Sequence, residues 1–116
     1  MVILLVIADQ LIKLLAINFF PYQLNSGIAF GLGKDSNLLW LAVSVILLII
    51  INRRSWLIVS GGISNCLDRF WRGGVVDYLN FWIFPKFNLA DCLILAGCLR
   101  LMYSFGYETV KRYLRG

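Results

Sequence analysis

The run LLWLAVSVILLIII, residues 38–51, carries no charge and a single polar side chain, Ser44. A segment apolar on every side has to be wholly buried or has to face lipid. Three further apolar segments accompany it, at about Val2 to Phe20, Ser55 to Trp71 and Leu89 to Phe105. Together they make the 116-residue chain 60% hydrophobic. A water-soluble domain of that size keeps much of its surface wet and has no interior large enough to hide so much apolar side chain. The sequence therefore predicts one membrane-embedded domain over residues 1–116, all-α, with four transmembrane helices and short extracytoplasmic loop elements. Alternating strands of the barrel type are not seen, which leaves helices as the spanning form. Each segment is shorter than the about 20 residues a bilayer asks for, so flanking residues or local thinning must make up the difference.

Polar connections separate the segments at residues 21–37, at INRRS and at residues 72–88. Arg53, Arg54, Lys111, Arg112 and Arg115 fall on one side of the predicted bundle, against Lys34, Arg72 and Lys86 on the other. That bias places both termini in the cytoplasm and the two longer loops outside. The net charge of +5 reads as basic loops near anionic lipid rather than as a nucleic-acid surface. The chain has no His, which removes the commonest metal ligand and general base. Cys66, Cys92 and Cys98 lack metal spacing and read as helix-packing residues. The N-terminal segment, with no basic region ahead of it, does not read as a removable signal peptide.

Polar residues inside membrane helices are costly and are functional candidates by default. Asp9 and Lys13 stand one helical turn apart and can pair. Gly61, Gly62, Asn65 and Asp68 fall at helical spacing in the third segment; the glycines allow close approach and the polar pair can bond across an interface. Arg69 is placed to reach a lipid phosphate or a backbone carbonyl, and Arg100 to extend toward the cytoplasmic side. An Asn-x-x-Asp pattern occurs twice, at Asn65/Asp68 and Asn88/Asp91.

Asp77 and Asp91 lie fourteen positions apart, on either side of the stretch YLNFWIFPKF. If that stretch folds back on itself, the two carboxylates meet near the outer membrane surface. Two close carboxylates share a proton, so one can take a proton from water while the other donates to a carbonyl oxygen. The plainer alternative is that each merely caps a helix or loop.

DQLIK, NSGIAF, SNCLDR with GGVVDYL, and FNLAD follow one another in order along the chain. That ordered set resembles the lipoprotein signal peptidases, the bacterial signal peptidase II family, from Asp9 to about Gly97. The resemblance implies a four-helix aspartic endopeptidase of the bacterial inner membrane, with its site near the outer face. Its substrate would be a diacylglyceryl-modified prolipoprotein, cut just before the lipidated cysteine. By the same resemblance Asp77 and Asp91 are the catalytic pair. Asp9, Lys13, Asn25, Gly27, Ala29, Asn65, Asp68, Arg69 and Asn88 match the family's motif positions and would shape the pocket or hold substrate. No metal or organic cofactor is implied. Membrane lipids and the prolipoprotein are the expected partners, nucleic acid is not, and the chain is expected to be a monomer. Against the family's pattern the first helix starts late, and the first outer loop and the hairpin between the aspartates are short. Two rivals stand beside this reading: a small proton-coupled membrane carrier, and an inactive lipoprotein-binding relative.

Overall fold

The computed structural model describes residues 1–27, 36–52, 54–81 and 83–116. Ala29, Lys34 and Arg53 lie outside these residues. Four helices, α1 (Val2–Phe19), α2 (Asn37–Ile51), α3 (Trp56–Arg72) and α4 (Leu89–Arg115), make a bundle 56 × 29 × 29 Å in extent. Of these, α1 and α4 are long and apolar enough to cross a membrane, and α2 is a shorter apolar helix.

The expectation of an all-α chain is corrected by two three-residue strands, β1 (Gln23–Asn25) and β2 (Val75–Asp77). They pair antiparallel, with Gln23 opposite Asp77, Leu24 opposite Val76 and Asn25 opposite Val75. Val75 and Val76 are β-branched and favour extended backbone, and pairing satisfies backbone groups that no helix takes up. Gly73, at φ 75°, closes α3 in the left-handed conformation that favours glycine and turns the chain into β2.

Burial is inverted relative to a water-soluble protein. The most buried apolar residues are few: Ala16, Ile58, Val75, Val76 and Ala90. Asp9, Lys13, Ser60, Ser64, Asp68 and Asn88 are wholly buried, while Leu, Ile and Phe side chains cover the outside of the helices. An apolar exterior around a polar interior suits a bilayer as solvent.

Helix α3 is the hub and packs against α1, α2 and α4. Its neighbours approach closely because it carries small residues. A Cβ on Gly61 would collide with the Ala90 carbonyl and with Ile94, and one on Gly62 with Leu48. The backbones of α3 and α4 therefore touch where α4 begins. Ser55 caps α3 by accepting the Ile58 N–H at 3.3 Å.

Helix α4 runs ten residues beyond the expected end at Phe105. Gly106 does not break it, because side chains one turn apart support the extension. Tyr103 stacks on Tyr107 at 6.4 Å, and the Lys111 ammonium sits 5.9 Å from the Tyr107 ring centre. Cys92 and Cys98 are exposed on α4 and do not pack between helices as expected.

Candidate active site

The stretch after β2 folds back as the sequence suggested. Leu79 and Phe87 face each other in an antiparallel bridge, with Leu79 N–H to Phe87 O at 2.7 Å and Phe87 N–H to Leu79 O at 3.0 Å. This closure brings Asn88, the residue that starts α4, back beside the end of β2. The Asn88 amide Nδ2 donates to Asp77 Oδ1 at 3.0 Å and to Val76 O at 3.2 Å. The same residue caps α4. Its Oδ1 accepts the Asp91 N–H at 2.8 Å, and its own N–H donates to Asp91 Oδ2 at 3.1 Å. Asn88 thus touches both aspartates. The capping role of Asp91 and its nearness to Asp77 are both present, because one reciprocal capping box supplies both.

Asn65, on α3, bridges from the other side. Its Nδ2 donates to Asp91 Oδ1 at 3.3 Å, and its Oδ1 accepts from Asn88 Nδ2 at 3.2 Å. Asp77 and Asp91 line one cavity of about 650 Å³. Asn25, Asn65, Arg69 and Lys86 add polar groups to its wall, while Val75, Phe81, Phe84, Phe87 and Leu95 give it apolar surface.

Burial pushes the Asp77 carboxyl up to about 7, and the nearby negative charge of Asp91 adds to the shift. Hydrogen bonds from Asn25 and Asn88 and the positive charge of Lys13 oppose it. Near neutral pH, Asp77 is therefore poised between holding and releasing a proton.

The structure brings Asp9, Lys13 and Asp68 together, but behind the cavity wall rather than on it. Lys13 Nζ lies 2.7 Å from Asp9 Oδ2, 2.7 Å from Asp68 Oδ2 and 3.0 Å from Asn65 Oδ1. All three of its donors are used. Asp9 Oδ1 accepts the Ala90 N–H of α4 at 3.2 Å, and Asp68 Oδ2 accepts the Val76 N–H of β2 at 3.1 Å. The cluster ties α1, α3, α4 and β2 together, and it touches the cavity through Asn65.

Arg69 reaches a backbone carbonyl, as its position allowed: its Nη2 donates to Gly27 O. Its Nη1 donates to Asn37 Oδ1 at 3.2 Å, so it anchors the chain after β1 and the start of α2. Asn25 accepts the Gly27 N–H at 2.9 Å.

Four contributors were not named as site residues from sequence. Gln10 donates to Asp68 Oδ1 at 2.9 Å and to Ser64 Oγ at 2.9 Å. Ser64 donates to Asp9 Oδ2. Arg72 pairs with Asp68 at 2.6 Å. Tyr78 contacts both Asp9 and the start of α4. The signal for Arg72 was available, since it stands one turn after Asp68; Gln10 interrupts an apolar helix and was equally visible. Tyr78 lies inside the GGVVDYL stretch, directly after Asp77, but nothing in the sequence showed its reach to α4.

A helical bundle apolar outside and polar inside, with two carboxylates on one cavity, defines an integral-membrane protein with the makings of an acid–base site. Residues 1–106 match the family described as signal peptidase (SPase) II, and the chain belongs to that family. It is 31% identical to the lipoprotein signal peptidase of Rickettsia africae (strain ESF-5), over 89% of this chain and 61% of that protein. Identity is 30% to the lipoprotein signal peptidase of Halothermothrix orenii, over 94% of this chain and 95% of its relative. The chain thus spans less than two thirds of the Rickettsia africae protein and 54% of the Rickettsia conorii one. In three dimensions it resembles a bacterial membrane enzyme solved by the in meso method at 2.3 Å resolution. The TM-score is 0.83 at 22% identity, covering 93% of this chain and 86% of the other. A second such structure, solved at 1.9 Å, gives 0.76 at 21% identity over 90% and 88%. At those identities the likeness is one of fold.

Proposed function

We propose that this chain is a membrane aspartic endopeptidase that removes the signal peptide from diacylglyceryl prolipoproteins, cutting before the lipidated cysteine. The observation that carries the reading is Asn88, which holds Asp77 and Asp91 on one cavity wall. Family membership and the names of the relatives support the substrate class. The carrier alternative has no comparable support.

In the proposed mechanism Asp91 is ionised and Asp77 holds the shared proton. Water attacks the scissile carbonyl carbon and loses a proton to Asp91, while Asp77 gives its proton to the carbonyl oxygen. The resulting diol collapses as the C–N bond breaks. Asp91 returns a proton to the leaving nitrogen, and a diol hydroxyl returns one to Asp77. Both carboxyl groups end as they began.

A pH prediction follows from Asp77. Its proton is needed, and its carboxyl titrates at about 7. At pH values below that it keeps the proton; as pH rises through it, the pair becomes doubly ionised and has nothing to donate. Cleavage should fall about tenfold per unit above pH ~7. Initial rates across buffers of constant ionic strength check this, and an activity that keeps rising to pH 9 excludes Asp77 as the acid.

The proposed setting is the bacterial inner membrane, with the four helices crossing, both termini cytoplasmic, and the β1–β2 ribbon and cavity at the outer face. The chain acts as a monomer, without a metal or organic cofactor. The apolar walls would receive lipid tails and peptide together. Because lipid leaves one apolar solvent for another, tail burial serves mainly to set the scissile bond at the depth of the carboxylates. One precursor, prepared with and without the diacylglyceryl group, tests this in detergent or lipid. The unlipidated form should be cut about a hundredfold more slowly or worse. Equal initial rates would replace the assignment by a general intramembrane peptidase.

A further inference from the structure

We infer that Tyr78 is a positioning residue for the carboxylate pair: its hydroxyl pins the start of α4 to the end of β2 and so sets the spacing between Asp77 and Asp91. The inference rests on the proposed pairing of those two groups.

The first N–H groups of a helix have no partner within it. In α4 each is taken by a group outside the helix. Leu89 N–H donates to the Tyr78 hydroxyl at 3.0 Å, Ala90 N–H to Asp9 Oδ1 at 3.2 Å, and Asp91 N–H to Asn88 Oδ1 at 2.8 Å. Asn88 adjoins the helix, and Asp9 belongs to α1. Only Tyr78 follows Asp77 directly in the chain. Its hydroxyl also donates to Asp9 Oδ1 at 3.4 Å. The phenol therefore links three parts: the strand end bearing Asp77, the helix start bearing Asp91, and the buried ion cluster.

Tyr78 is not on the wall of the cavity that holds the aspartates. It lines a neighbouring one of about 400 Å³, with Leu15, Phe20 and Leu79. A role in contacting substrate at the carboxylates is thus separable from a role in placing them. Burial, reinforced by the negative charge of Asp9, holds the phenol up at about 12. It stays a neutral donor across the working pH range.

Replacing Tyr78 by Phe keeps the ring and removes the oxygen. Leu89 N–H then loses its acceptor and Asp9 a donor, and the start of α4 keeps its Asn88 bonds to β2 but not the phenol that fixes its first turn. The groups that bear on Asp77 are Asp91 from α4, Lys13 from α1, Arg69 from α3, and the amides of Asn25 and Asn88. Of these, Asp91 alone raises the Asp77 titration point. A wider pair repels less, so that point should fall.

The experiment uses the full chain in detergent. Infrared titration follows the Asp77 carboxyl, its band assigned by its loss in Asp77→Asn. In Tyr78→Phe the titration point should drop by about half a unit or more, because the coupling to Asp91 weakens. On lipidated precursor, kcat should fall about tenfold while KM stays within about twofold. An unchanged titration overturns the inference, whether or not Tm falls, because a mere structural brace would leave Asp77 as it was. A different result separates the two readings: if Asp77→Asn still cleaves while Tyr78→Phe shifts the titration, the acid–base assignment fails and the positioning role stands.

Discussion

Asp77→Asn and Asp91→Asn should each reduce cleavage by about 10⁴-fold or more, with the protein still folded. General acid–base groups typically contribute about 10²- to 10⁴-fold, and two groups that act as a unit are lost together. An amide keeps the size and still accepts a hydrogen bond, so Asn88 keeps a partner at either position. It has no proton to share. Initial rates on lipidated precursor, alongside thermal melts, measure the two effects separately. Near-normal turnover in either variant removes that residue from the chemistry.

The second large effect belongs to stability. Lys13→Met fills much the same volume and removes the cation between Asp9 and Asp68, all three of which are wholly buried. Asp68 retains Arg72 at 2.6 Å. Asp9 has no second cation among its described partners. Removing one member of a buried ion group costs about 3–5 kcal/mol, because the remaining charge is left uncompensated. The variant should melt well below the parent. Adding Asp9→Asn to it should recover part of the loss, since the stranded charge goes too; melts of the parent, both single variants and the double variant close that cycle. A Lys13→Met protein as stable as its parent would show that the cluster contributes nothing net.

The helices were legible because their signal is long and local. The run at 38–51 needs no neighbour to declare itself, and α2 begins one residue before it. The ribbon was hidden because two strands of three residues carry almost no periodicity, and their pairing joins positions 50 to 54 apart. For Lys13 the near partner, Asp9, could be read from helical spacing, but Asp68 and Asn65 lie on another helix. Asp77 and Asp91 stood out as carboxylates in an apolar chain flanking a stretch able to fold back. What the sequence could not display was Asn88 as the link between them, because a cap and a bridge look alike in one dimension. The extent of α4 was missed for a different reason: Gly106 and the basic residues after it resemble a helix end, while side-chain stacking and the Thr109 hydroxyl bond to Phe105 O accompany the helix past it.

Asn88 has a consequence for when the site exists during synthesis. The residue that nucleates the last helix is the one that holds the two aspartates together, and Asp91 belongs to that helix's first turn. A chain with only its first three helices formed therefore has Asp77 but lacks Asp91 beside it. On the proposed reading, competence arrives in one step when α4 forms, and a copy without that helix has no means of cutting neighbouring precursors.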